Sequence, residues 1–164
     1  MRARTCIAAL LLGVAVLLSV HCSDEEARLR SDYPVVSGDQ QLSADWSLTL
    51  PRAFNRRIED KALVLWRPGV TVWLTLWGND RGLSPKQRLD SLRATTESDA
   101  FEVSIRSGSL PMRYTYRLDE QRDEGTVHAL YGFVLKPDRD IQAAIYVDDR
   151  ADLEIARSIL DSIR

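Results

Sequence analysis

Apolar side chains fall on alternate positions through most of the chain between residues 46 and 147. That period of two confines the chain to a sheet whose strands each bury one face. Trp46-Ser47-Leu48-Thr49-Leu50 alternates, and Pro51, which has no N–H to give a ladder, is expected to end that strand. Ala62–Trp66 and Val70–Trp77 flank Arg67-Pro68-Gly69, the pattern of a hairpin, and the turn is compatible with two or three residues. Three further strands carry Phe101, Val103 and Ile105, then Met112, Tyr114, Tyr116 and Leu118, then Val127 through Leu135 at every second position. Pairing Arg106 with Arg113 sets Ser104 beside Thr115 and Glu102 beside Arg117, which keeps the large residues on one face and makes one favourable charge pair. Ile141–Val147 is the last strand expected.

Two segments change period. Ser84, Pro85 and Gln87 have the spacing of an N-cap, a first helical residue and a capping-box partner, so a helix is expected over Pro85–Thr96. Leu89 and Leu92 mark its inner face, with Lys86, Arg88, Asp90 and Arg93 in water. Asp149 and Asp152 open a second helix in which Leu153, Ala156, Ile159, Leu160 and Ile163 form one stripe. Leu130, Gly132 and Val134 make the other face of the sheet apolar as well, so the two helices are expected on opposite faces. The fold class is α+β, an antiparallel sheet of about six to seven strands flanked by helices.

This domain spans residues 45–164. Ahead of it, Met1–Thr5 carries two arginines and Cys6–Val20 is an uncharged apolar run, the pattern of an export signal over residues 1–22. The run has 15 residues, fewer than the roughly 20 that a single span needs. Cys22 follows it directly and precedes Ser23-Asp24-Glu25-Glu26, the place of a lipidated first residue in bacterial lipoproteins. His21 departs from the small residue usual before such a cysteine. Lipidation at Cys22 would make this an exported lipoprotein of the cell envelope, anchored in a membrane and facing the periplasm or the cell exterior. With Ser23 as the next residue, that membrane would be the outer one where the organism has two. Residues 23–44 are polar and read as a tether, although Tyr33-Pro34-Val35-Val36 also suits an extended arm packed on the domain.

The phrases Trp46-Ser47-Leu48-Thr49-Leu50-Pro51, the helix after Ser84-Pro85 and Ala156-Arg157-Ser158-Ile159-Leu160-Asp161-Ser162-Ile163, in this order of elements, resemble the PsbP-like and DcrB-like superfamily. The resemblance covers residues 45–164. It implies an α/β/α sandwich and a mostly non-enzymatic role, with envelope lipoproteins and chaperones of secreted toxins among the members, and it brings no shared catalytic residue.

The search for chemistry points the same way. Both cysteines, Cys6 and Cys22, lie in the leader, and the domain has one histidine, His128, so thiol catalysis and multi-histidine metal sites are not expected within one chain. No nucleophile elbow or phosphate loop occurs, and the pairs Asp138/Asp140 and Asp149/Asp152 suit a turn and a helix start better than a metal. No cofactor, metal or catalytic residue is expected. The chain has 22 basic and 24 acidic residues. Without residues 1–22, which hold two arginines, the balance is 20 to 24, which argues against a nucleic-acid partner. The arginines, among them Arg106, Arg113 and Arg117, alternate with acids and read as a solvated face.

The aromatic set is what remains. Thr71, Trp73, Thr75 and Trp77 share one face of a strand, and Trp66 lies across the hairpin. The ordinary role for this face is burial under a helix. The sharper role is a surface for a ligand or partner. The expected function is thus a non-catalytic envelope lipoprotein whose domain binds another, unidentified protein at or near the membrane. The alternatives are a toxin-immunity or secretion-chaperone-like protein, and a small-ligand carrier or enzyme using the Trp73/Trp77 face.

Overall fold

The computed structural model describes residues 29–164 except Glu124, so the leader and Cys22 lie outside the described residues. Eight strands form one antiparallel sheet: β1 (Val35–Gln41), β2 (Ser47–Glu59), β3 (Ala62–Arg67), β4 (Val70–Gly78), β5 (Phe101–Arg106), β6 (Met112–Arg122), β7 (Gly125–Leu135) and β8 (Arg139–Val147). Helix α1 (Pro85–Thr95) joins β4 to β5, and α2 (Leu153–Ser162) follows β8 through one 3-10 turn. The strand order is β1-β2-β3-β4-β8-β7-β6-β5. Two four-stranded meanders therefore meet at β4 and β8, in register from Val70↔Val147 to Gly78↔Arg139.

The sheet has eight strands, not the six to seven expected, because Val35–Gln41 is a strand and not tether. It pairs with β2 at the edge of the sheet, from Val35↔Asn55 to Gln41↔Ser47. Its residues are largely exposed, and an edge strand with little to bury has little periodicity to show. Pro51 does not end β2 either. It sits at the irregularity where β1 shifts register between Val36 and Gly38, and β3 pairs with β2 only from Asn55 onward. A missing N–H costs little where no ladder partner is waiting.

The turns follow local chemistry. Arg67 pairs with Val70, so Pro68-Gly69 is a two-residue turn, and Gly69 at φ +77° supplies the left-handed position. Ser84 and Gln87 form a reciprocal capping box with Pro85 in the first turn. Asp149 accepts from the Ala151 N–H (2.9 Å) to start the turn into α2. The second helix buries Leu153, Ala156, Ile159, Leu160 and Ile163 against Leu48, Leu50, Leu65, Val72, Leu130 and Ile145, the main core. The first lies on the opposite face, where Leu89 and Leu92 pack on Tyr114, Phe133 and Leu135. Arg88 does not face water as expected. It is buried, and its guanidinium reaches Asp140 and the Lys136 carbonyl, which pins α1 to the turn before β8.

Candidate functional site

Strand pairing brings all five aromatic-face candidates to the α1 side of the sheet. Trp66 lies opposite Thr71, and Trp73 between Val64 and Ala144. Thr75 lies opposite Gln142, and Trp77 opposite Asp140. They do not form one pocket. Thr71 and Trp77 are six residues apart on β4, about 20 Å at ~3.4 Å per residue. Each end has its own surroundings.

At one end Trp66 is half-buried. The Tyr33 ring packs edge-on against it (4.8 Å between centroids), and the Arg57 guanidinium stands over it at 5.0 Å. Tyr33 is held there by Asn55, a buried side chain that accepts from the Arg30 N–H (2.8 Å) and donates to the Arg30 carbonyl (2.8 Å). The extended-arm reading of Tyr33–Val36 is thus the one observed, and it closes this end of the face.

In the middle Trp73, Thr71 and Thr75 are half-buried, and no helix among the described residues covers them. The expected cover reaches only β6 and β7, because α1 packs on Tyr114, Tyr116 and Phe133. The aromatic row continues from under α1 toward Trp73. Tyr116 stacks on Tyr131 (5.0 Å), Tyr131 meets Tyr146 edge-on (6.2 Å), and Arg122 stands over Tyr146 at 4.9 Å. The Tyr131 hydroxyl donates to Glu120 (2.7 Å) and lies 3.1 Å from the Tyr146 hydroxyl. Burial raises the Tyr131 phenol, and its bonds to Tyr146 and Glu120 raise it further. Tyr116 is raised chiefly by burial. Both phenols are thus held in the neutral form. Sequence periodicity marks Tyr116 and Tyr131 as inward, but only the β4–β8 pairing sets them in line with Trp73.

At the far end Trp77 is 55% exposed. It lines a groove of about 420 Å³ between α1 and the ends of β4 and β8. The buried Arg88–Asp140 pair forms its polar floor, with Leu92, Phe133 and Leu135 as the apolar part. Burial raises the Asp140 carboxyl, and Arg88 opposes that shift. Asn79 accepts from the Leu83 N–H (3.0 Å) and donates to the Leu83 carbonyl (2.8 Å), which fixes the loop that forms the rim.

His128 lies on the other face of the sheet, the α2 side, opposite Val147 of β8 and Asp119 of β6. Its Nδ1 is 2.7 Å from Asp119, and Asp119 also accepts from Arg150 (3.0 Å). The hydrogen bond to His128 is the main reason that Asp119 titrates below the ordinary carboxylate range, with Arg150 and Arg117 adding to it. This is a closed polar cluster between two strands and the turn before α2. Among the described residues no group of three or more His, Cys, Asp or Glu could hold a metal ion.

Comparison with known proteins informs the fold alone. No family model and no curated protein matches the chain. Among solved structures it is similar to a protein from Bacteroides thetaiotaomicron, at 11% identity and a TM-score of 0.57. The match covers 79% of this chain and 48% of that one, so the chain spans about half the length of its structural neighbour.

Proposed function

We propose that this protein is a non-catalytic lipoprotein of the cell envelope, exported and anchored through Cys22, whose domain binds another protein at or near the membrane. We also read the domain as one of the PsbP-like and DcrB-like kind. The observation that carries the binding reading is Trp77, 55% exposed beside a groove of about 420 Å³. Tryptophan side chains beside apolar clefts are favoured anchors of protein interfaces, and Trp77 supplies one. A narrower form of the reading is capture of a secreted toxin or one of its segments.

The test is crosslinking and pull-down from intact cells with wild type and Trp77→Ala. The side chain packs little in the free domain, so the variant should keep the wild-type melting temperature within a few degrees. The expected result is a partner captured by the wild type and lost with Trp77→Ala. An identical set of captured proteins for both would refute the assignment. The anchor is tested separately by acyl-chain labelling, expected in the wild type and absent in Cys22→Ala.

The groove volume also falls in the usual range for small-ligand sites, which favours a carrier as the second reading. A small molecule that leaves the purified protein on denaturation, and that Trp77→Ala fails to retain, would support it over a protein partner.

A further inference from the structure

A second cavity, of about 260 Å³, lies on the opposite face of the sheet from the aromatic row. It exists because α2 packs closely over β2, β7 and β8 and meets β5 and β6 only through long side chains, Arg157 to Glu102 and Asp161 to Arg106 among them. Arg113, Thr115 and Arg117 of β6 lie opposite Val134, Gly132 and Leu130 of β7, so they share the α2 face. Four guanidinium groups, from Arg106, Arg113, Arg117 and Arg157, line the cavity with two carboxylates, Glu102 and Asp161. The local excess is two positive charges, on a chain whose net charge is −2.

Arg117 is the unusual member. Its side chain is 7% exposed, and its Nη1 donates to Glu102 (2.6 Å). The Nε and Nη2 groups, buried as well, have no hydrogen-bond partner, with Asp119 3.7 Å from Nη2. The guanidinium lies over the Phe101 ring at 4.8 Å, and buried donors without acceptors are costly enough to call for a strained site or a bound ion or water as the reason. Glu102 is strained too. It sits at a bulge, with Phe101 rather than Glu102 paired to Arg117, and its φ of +49° is one that side-chain-bearing residues rarely adopt. That conformation turns its carboxylate between Arg117 and Arg157 (2.8 Å from Arg157), where it serves as an internal counter-ion. Arg113 plays a different part. Both of its Nη groups donate to carbonyls at the end of α2, those of Leu160 and Ile163, so it fixes the wall and contributes charge.

We propose that this cavity is a binding site for a phosphomonoester. The phosphoryl group takes the position that the Glu102 carboxylate now fills, between Arg117 and Arg157 and within reach of Arg106, and the apolar body of the ligand lies on Leu130, Val134 and Leu160. With the Glu102 carboxylate displaced, Asp161 and Asp119 remain against the four guanidinium groups, an excess of two, which a phosphomonoester carrying about −1.5 to −2 charges near neutral pH matches and a carboxylate would half compensate. Guanidinium forks pair with phosphoryl oxygens two at a time, and three acceptor oxygens can serve donors that a single carboxylate leaves idle.

The probe is phenyl phosphate, titrated by calorimetry into the full domain, with inorganic phosphate and benzoate alongside. The wild type should bind phenyl phosphate at one site, more tightly than either control. Arg157→Gln, a half-exposed position that the fold does not need, should weaken binding about tenfold, the effect of one charged hydrogen bond. Glu102→Gln removes the competing carboxylate and should tighten binding several-fold. Arg117→Met should abolish it, with folding checked by circular dichroism, and the Arg157 and Glu102 variants decide the matter if that one does not fold. No saturable binding to the wild type and to Glu102→Gln would overturn the site. Benzoate binding as tightly as phenyl phosphate would overturn the choice of a dianion. Inorganic phosphate binding as tightly would overturn the apolar wall.

Discussion

Gly132 is a point of close approach between the sheet and α2, and adding one methyl group there should loosen the α2 face. A Cβ on Gly132 would lie 2.2 Å from Cδ1, 2.6 Å from Cδ2 and 2.9 Å from Cγ of Leu160. Carbon atoms in contact prefer about 3.5–4.0 Å, so the shortfall exceeds an ångström at Cδ1 and is close to one at Cδ2. Leu160 has little room to yield, being 4% exposed, with its carbonyl held by Arg113 at 3.1 Å. Overpacking of this kind costs about 1–3 kcal/mol. In the other direction, an extended glycine replaced by alanine gains about 0.4–1 kcal/mol through the unfolded chain, because β7 asks for no left-handed conformation at this position. The net expectation for Gly132→Ala is a loss of about 1–2 kcal/mol, and the sign itself tests the packing.

Urea unfolding followed by tryptophan fluorescence measures this, with the slope of the transition unchanged if only packing is altered. Leu160→Ala alone should cost about 2–5 kcal/mol for the cavity it leaves. The double variant should be more stable than the sum of the two losses implies, by about 1–2 kcal/mol, since the added methyl then fills part of that space. A Gly132→Ala protein as stable as the wild type, or strict additivity in the double variant, would refute the account of how α2 sits on the sheet.

Two further outcomes follow from local geometry. Asp119 titrates low because of His128 and the nearby arginines, so the unfolded chain binds its proton first on acidification. The stability it contributes is present above the ordinary carboxylate pKa and is lost as pH falls through the lower folded value. Acid titration of Asp119→Asn should therefore show a shallower decline in stability below about pH 4 than the wild type, and parallel curves would contradict this. Asn55→Ala leaves the backbone of Arg30 without its two partners and should cost about 1–3 kcal/mol. It should also release Tyr33 from Trp66, seen as faster proteolysis ahead of β1 and altered tryptophan emission; protection equal to the wild type would show that Asn55 does not hold the arm.

Local chemistry was legible wherever one residue type has one job. The Ser84-Pro85-Gln87 start of α1, the Pro68-Gly69 turn and the Asp149 cap could be read because capping and left-handed turns demand particular side chains at fixed offsets. The β5–β6 register was also legible from Arg106↔Arg113 through Ser104↔Thr115, as alternation and charge both select it. It then broke at Glu102, since a bulge leaves no trace in a period of two. Long-range placement was not legible. Nothing in the composition of β4 says that its outer neighbour is β8, about 70 residues away, and on that pairing depends whether Trp73 and Trp77 lie under a helix. The arginines misled for a related reason. Alternation with acids looks the same whether the face is solvated, as at Arg52, or enclosed by a helix from elsewhere in the chain, as at Arg117.

The contact between β2 and the segment after α2 also bears on when the domain can fold. Ser47 at the start of β2 exchanges backbone hydrogen bonds with Arg164, 2.9 and 3.0 Å, and the apolar faces of β2 and β3 are covered by α2. The first meander, though built from neighbouring hairpins, emerges from the ribosome with Leu48, Leu50 and Leu65 bare and stays so until Leu153–Ile163 is made. Contacts of such sequence separation close slowly and all together. The first meander is therefore expected to reach its final packing only once Leu153–Ile163 has docked, so that segment acts as the latch that commits the core.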